Sequence, residues 1–201
     1  MFNFFKKKHI DESLEEQRKD LKKFSHDSDN FFPIGIECDE LPNTTGEFGR
    51  TVTNPIPVNG PIGEIKYLNR LNTEDGGILF HRLGAINSID IFETVSVNGK
   101  YWNILYLDMY HPRRSTKVPN GFSFGKFHEV YSRSVIGFYT TKYDPDFPFG
   151  LSPHIKQNLG EGLGESFAKR YEAFVQDKSK FVRPQQHIDE LKSLRFTSRS
   201  S

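Results

Sequence analysis

The stretch from Ser88 to Tyr110, SIDIFETVSVNGKYWNILYLDMY, restricts the fold of this chain more than any other. Two segments rich in β-branched and aromatic residues flank the pair Asn98-Gly99. Such a pair is the strongest short-range signal for a two-residue β-hairpin, because a type I′ turn needs positive φ angles at both central residues. The sequence therefore predicts an antiparallel hairpin over residues 88–110.

A turn at residues 98 and 99 also sets the register of the two strands. Val95 then lies opposite Trp102 on one side of the ribbon, and Phe92 lies opposite Leu105 on the other side. Both sides are apolar near the middle, so we expect the hairpin to lie inside a wider sheet that is covered on both faces.

Three helices are predicted around this sheet. Residues 11–24 are strong helix formers, with acids in the first turn and lysines in the last. Residues 153–176 follow an N-cap serine and carry apolar side chains every three or four residues, so this helix should pack on the sheet. Residues 184–195 predict a C-terminal helix. The expected fold class is α+β, a twisted antiparallel sheet centred on the 88–110 hairpin, packed by the 153–176 helix, with N- and C-terminal helices.

Other segments predict the rest of the architecture. Residues 31–37 favour a short edge strand, residues 77–86 a strand, and residues 122–143 one bent strand or a pair. Residues 63–73 favour a short helix. The stretch 41–63 is rich in proline and glycine and predicts a long ordered loop that serves either as a lid or as a structural brace.

A chain of 201 residues is long enough for one domain with appendages. We predict an N-terminal charged helical extension over 1–30, a single α+β core domain over 31–182, and a C-terminal helix with a loose tail over 183–201. The aromatic and lysine-rich tip at residues 2–8 either packs on the core or contacts a membrane or a partner.

Charge and hydropathy exclude some classes of protein. The 27 basic and 26 acidic residues nearly cancel, which argues against nucleic-acid binding as the main role. No apolar run is long enough to predict a transmembrane segment. The N-terminal rings precede the lysines, the reverse of a secretory signal, and Cys38 is the only cysteine, so we expect a soluble, cytoplasmic protein.

The exit of the hairpin carries the candidate site. Asp108 and His111, with His81 on the preceding strand, are candidate catalytic groups, because carboxylates and imidazoles serve in general acid–base chemistry. Guanidinium groups beside them would bind a small phosphate or carboxylate, and the candidates for this role are Arg82, Arg113 and Arg114. The structural alternative is a strand exit at which Asp108 caps the loop and pairs with an arginine.

No cofactor or metal is predicted. The seven histidines show no HxH, HxxxH or related spacing, and the single cysteine forms no CxxC pair. The glycine-rich GEGLGE at residues 160–165 contains two glutamates, which would repel a phosphate. Nucleophile, Walker and kinase signatures are absent from the sequence.

These observations favour a small soluble non-enzymatic interaction factor of the inhibitor, immunity or accessory type, which acts by binding a partner protein. Abundant aromatic residues (19 Phe and 8 Tyr) and long Pro/Gly loops suit an interaction surface. The alternative is an enzyme or ligand-binding domain for a small anionic substrate, which uses the His/Arg/Asp cluster at the strand ends.

Overall fold

The computed structural model describes residues 15, 17, 35–125, 147–148 and 178–196. Within these ranges the chain forms six strands, two α-helices and one 3₁₀ turn. In chain order they are β1 (Ile56–Pro57), α1 (Gly60–Arg70), β2 (Leu71–Thr73), β3 (Gly76–Ile86), β4 (Ile89–Ser96), β5 (Trp102–Asp108), β6 (Ser123–Phe124), the 3₁₀ turn (Lys178–Lys180) and α2 (Gln185–Ser193).

The strands form one curled sheet in the order β1-β5-β4-β3-β2-β6, which gives an α+β protein. The predicted antiparallel sheet is wrong at one edge, where β1 runs parallel to β5. Ile56 and Pro57 reach this edge from the long loop, and the chain leaves it through α1. The proline fits here because an edge strand needs fewer ladder hydrogen bonds than a central one.

The predicted register of the hairpin is confirmed. Val95 pairs with Trp102, and Phe92 pairs with Leu105. The type I′ turn is wrong, because Gly99 alone of the Asn-Gly pair has a positive φ, at 80°. A four-residue loop, 97–100, closes the strands instead. It includes one more residue from each strand than the predicted two-residue turn, so the pairing of the remaining residues is unchanged.

The side chain of Asn98 stabilises this loop, although the backbone of Asn98 itself is not left-handed. Its Oδ1 accepts hydrogen bonds from the Ser96 hydroxyl at 2.6 Å and from the Lys100 amide at 3.2 Å. A Cβ on Gly99 would lie 2.4 Å from the carbonyl oxygen of Lys180, so the C-terminal segment packs directly against the hairpin tip.

The predicted 77–86 strand is confirmed as β3, and the predicted 63–73 helix is confirmed up to Arg70 as part of α1, whereas Leu71–Thr73 form β2 instead. The predicted 41–63 loop is too long, because residues 56–57 form β1 and α1 begins at Gly60. Pro61 stands in the first turn of α1. Proline is tolerated there because the first amides of a helix have no intrahelical partner. The predicted edge strand is not formed at residues 35–37.

Every residue of β4 is buried, which confirms that the sheet is covered on both faces. One face packs against α1 through a core that includes Phe80, Phe92, Leu105 and Leu68. The opposite face is covered by residues 178–196, which we call the C-terminal segment, and by Phe147. Two smaller clusters lie here, with these buried members: Leu83, Ile89, Ile91, Ile104, Tyr106 and Leu191 in one, and Leu79, Val95 and Phe147 in the other.

The predicted C-terminal helix is confirmed as α2. The predicted 153–176 helix, the aromatic and lysine-rich tip, residues 126–143 of the predicted strands and all but residues 15 and 17 of the predicted N-terminal helix lie outside the described residues. Neither of the described helices has the length and apolar character needed to cross a membrane.

Candidate functional site

The structure separates His81 from the other sequence candidates. Side chains two residues apart along a strand point to the same face. His81 therefore shares a face of β3 with the buried Leu79 and Leu83, and this face lies under the C-terminal segment. Its Nε2 is 2.6 Å from a carboxylate oxygen of Glu93, and its ring stacks on Phe147 at 4.1 Å. The structure therefore does not bring His81 together with the residues at the hairpin exit.

Asp108 and His111 do meet at the end of β5. The Nε2 atom of His111 lies 3.2 Å from a carboxylate oxygen of Asp108, and Nδ1 lies 2.9 Å from the carbonyl oxygen of Ile36. Both ring nitrogens thus face acceptors, and this arrangement favours the protonated ring, in which both nitrogens donate. Burial lowers the pKa of His111, but these two hydrogen bonds outweigh it and raise the pKa above its usual value.

Arg82 and Glu64 extend this cluster beneath α1. The Arg82 guanidinium donates to a carboxylate oxygen of Asp90 at 2.5 Å. Glu64 is buried, and its carboxyl hydrogen-bonds Asp90. Desolvation first, and then the negative charge of Asp90, raise the pKa of Glu64 well above its usual value. Burial and the charge of Asp90 therefore both favour the protonated form of Glu64.

The remaining two arginines face elsewhere. Arg113 donates to Asp39 at 2.6 Å and to Glu37 at 3.3 Å, and so holds the loop before β1. Arg114 is buried, and its backbone amide donates to the side chain of Gln17 at 3.2 Å. Neither arginine is brought to an open anion site by these contacts.

We call Glu64, Arg82, Asp90, Asp108 and His111 the acidic network. Its ionisable side chains hydrogen-bond or pair with one another: Arg82 with Asp90, His111 with Asp108, and Glu64 with Asp90. The contacts that the structure gives these groups are therefore within the protein. No group of metal-binding side chains of suitable geometry occurs in the described part of the chain.

Glu64 was missed at the level of sequence, although a signal exists. It stands one residue before Ile65 and four before Leu68, and both of these lie in the core beneath α1. A carboxylate on that face of a helix must be neutralised or paired when it is buried.

A second polar cluster occupies the other face, and we call it the Glu93 network. Glu93 is fully buried and accepts from Arg183 Nε at 2.6 Å, from His81 and from His187 Nε2 at 2.9 Å. Burial opposes its ionisation, but hydrogen bonds from His187, His81 and Arg183 hold the pKa of Glu93 far below its usual range. This network fastens the segment before α2 and the start of α2 to the sheet.

An open cleft of about 360 Å³ lies beside the hairpin tip. We call it the Arg50 cleft. It mixes aromatic, amide and charged side chains, and its lining residues are Arg50, Thr73, Glu74, Tyr101, Asn103, Gly121 and Phe122. Concave sites with a few convergent polar groups are the usual form of binding sites.

Arg50 dominates the chemistry of the cleft. Its two terminal nitrogens donate to neutral acceptors, the side-chain oxygen of Asn103 and, at 3.0 Å, the carbonyl oxygen of Asn120. Its guanidinium lies 5.2 Å from the centre of the Phe122 ring. Its Nε is buried without a hydrogen-bond partner, and the Glu47 carboxylate lies 3.9 Å away. Burial lowers the pKa of Arg50 against the opposing charge of Glu47.

The opposite wall of the cleft is already paired. The hydroxyl of Tyr101 donates to the carboxylate of Glu74, and this hydrogen bond raises the pKa of Tyr101. The acid is therefore engaged within the protein, whereas Arg50 meets no carboxylate within hydrogen-bond distance among the described residues. The cleft was not predicted, because Arg50 and Asn103 are 53 positions apart and no local pattern connects them.

These features define an α+β protein with a curled mixed sheet, a buried polar network on each face and an open cleft at the hairpin end. Comparison with family models, curated proteins and solved structures finds no match for the chain.

Proposed function

We propose that this protein is a non-enzymatic interaction factor that binds a partner protein through the Arg50 cleft. The observation that carries the proposal is the composition of this open cleft, in which Arg50, Tyr101 and Phe122 converge. Arginine and aromatic residues dominate the energetic centres of protein interfaces. An accessory or inhibitory role in the cytoplasm agrees with the balanced charge of the sequence.

The state of the sequence candidates supports a binding role over a catalytic one. A general base needs an available lone pair, and both nitrogens of His111 are occupied by acceptors within the protein, Asp108 and the carbonyl of Ile36. Arg82 and Arg113 are each ion-paired to a carboxylate at 2.6 Å or less. The alternative function, an enzyme or binding domain for a small anionic substrate at this cluster, draws no support from these contacts.

The experiment uses three variants of the full chain. Arg50→Gln removes the charge of the cleft, Phe122→Ala removes its ring, and Arg195→Gln is the matched control on an exposed arginine of the C-terminal segment. Partners are isolated from the source organism with the wild-type chain, and binding is then measured with purified components by calorimetry. Circular dichroism verifies that each variant is folded.

We expect a stoichiometric partner whose affinity falls about tenfold or more in both cleft variants and is unchanged in Arg195→Gln. Failure to isolate such a partner, or equal binding by all the variants, would overturn the proposal.

A further inference from the structure

Among the residues that the structure describes, only part of the outer edge of β5 is paired. Within the described residues, β1 pairs with β5 at Leu107 and Asp108, and the amide of Tyr106 donates to the carbonyl oxygen of Gly49 at 3.0 Å. No described strand pairs with this edge further toward the hairpin tip, at Trp102 or Ile104.

The direction of the backbone groups at these two residues follows from alternation along the strand. The carbonyl of Tyr101 accepts from Ser96 on β4 and thus faces inward, whereas the amide of Tyr106 and the carbonyl of Asp108 face outward. Since successive residues alternate, the backbone N–H and C=O of Trp102 and Ile104 also face the outer edge. Such a row is a template for another strand.

The Arg50 cleft adjoins the same segment. Asn103 lines the cleft and stands between Trp102 and Ile104, so a strand added here would direct alternate side chains toward the cleft. The guanidinium of Arg50 donates to Asn103 itself. Its hydrogen-bonded acceptors are neutral, and the Glu47 carboxylate lies 3.9 Å away from Nε, so the two terminal nitrogens carry no ionic hydrogen bond and an incoming acid could supply one.

We infer that the partner contributes an extended segment that pairs with β5 at Trp102 and Ile104 and places an aspartate or glutamate side chain against Arg50. This inference rests on the proposed function and names the form of the partner. Main-chain hydrogen bonds would supply affinity, and the acidic side chain would supply specificity.

The probe is a set of peptides selected on the purified wild-type chain from a displayed random library. Each selected peptide is synthesised with its acidic residue intact and with that residue changed to the corresponding amide. We expect the acidic form to bind about tenfold more tightly than the amide form, and we expect this difference to disappear in Arg50→Gln.

Two variants at one position test the edge itself. Trp102→Pro and Trp102→Ala both lose the indole, but only the proline lacks the outward N–H, and an edge strand tolerates it. Trp102→Pro should bind the peptides about tenfold more weakly than Trp102→Ala. Hydrogen exchange of the wild-type chain provides a second readout that needs no variant. Peptide binding should slow exchange of the Trp102 and Ile104 amides.

The outcomes separate the two proposals. Equal binding by the two Trp102 variants, with no protection of these amides, would overturn the strand pairing, while a persisting Arg50 effect would leave the cleft in place. Failure to select any peptide whose binding depends on Arg50 would overturn both. A dimer of the chain alone that Trp102→Pro dissociates would also overturn the inference, because the edge would then belong to a second copy.

Discussion

Two buried glutamates on opposite faces of one sheet have pKa values shifted in opposite directions. Glu93 lies among Arg183, His81 and His187, and the hydrogen bonds from these residues lower its pKa despite complete burial. Glu64 lies beside Asp90, and desolvation together with that neighbour raises its pKa. Burial alone favours the neutral acid in both cases, so the neighbouring residues decide which glutamate carries charge.

The two networks also differ in what they connect. The Glu93 network joins the central strands to a segment almost one hundred positions away in sequence, since Glu93 and His187 are separated by 94 positions. The acidic network joins α1 to strand ends that the core beneath α1 already holds together. We therefore expect the first network to contribute more to stability than the second.

The largest effect is expected for Glu93→Gln. This change removes the carboxylate while Arg183 and the two histidines stay buried, and breaking a buried ion pair in this way costs about 3–5 kcal/mol. Chemical denaturation measures the free energy of unfolding. The exposed Glu190→Gln on α2 is the control and should change it by less than about 0.5 kcal/mol. Equal stability of the two variants would contradict the assigned role of Glu93.

Glu64→Gln should have a much smaller effect, within about 1 kcal/mol at neutral pH, because the raised pKa of Glu64 favours its neutral form and glutamine is also neutral and can donate to Asp90. The pH dependence sharpens the contrast. A raised pKa in the folded state means that the folded chain binds the proton more tightly, so stability falls as pH rises above 4.5, the ordinary value for glutamate. Glu93 has a lowered pKa and acts in the opposite direction, with its stabilisation lost as pH falls below 4.5.

Denaturation over a pH series checks these signs. The stability of Glu64→Gln relative to the wild-type chain should increase as pH rises from 4.5 toward neutral. A constant difference across this range would mean that Glu64 is ionised in the folded protein.

Local sequence patterns correctly predicted those strands and helices in which apolar side chains recur on one face. The register of β4 with β5 follows from alternation about residues 98 and 99, and α2 follows from apolar residues spaced by one helical turn. The predicted type I′ turn was wrong because Asn98 does not take a positive φ angle. Hydrogen bonds to its side chain stabilise the longer loop instead.

Long-range contacts explain what the sequence could not show. His111 follows the end of β5, whereas His81 lies in the middle of β3, and its position along the strand turns it to the opposite face, where its partner is Glu93. The parallel pairing of β1 with β5 and the contact of Arg50 with Asn103 depend on how separate loops meet. No spacing rule within one segment encodes such contacts.

His111 should make stability fall as pH rises above 6.5. Its pKa is raised in the folded state, so its contribution is complete below 6.5, the ordinary value for histidine, and is lost as pH rises through the folded value. The slope contributed by one such group is at most about 1.4 kcal/mol per pH unit. His111→Gln should be less stable than the wild-type chain at pH 6, and the gap should narrow as pH rises. A gap that widens with pH would show that His111 is neutral when folded.

The smallest effect is expected at the ion pairs of Arg113 with Glu37 and Asp39. Like Glu93, Arg113 contacts several oppositely charged or polar side chains, but these ion pairs are more exposed to solvent than the Glu93 network. The side chains of Glu37 and Asp39 are 47% and 44% exposed, so water and salt screen their attraction to the guanidinium. Arg113→Gln should therefore destabilise the protein by about 0.2–1 kcal/mol, and less at high salt. Denaturation at low and high sodium chloride measures both quantities. A loss as large as that of Glu93→Gln would mean that exposure does not separate the two ionic clusters, and that the loop before β1 depends on Arg113 as α2 depends on Glu93.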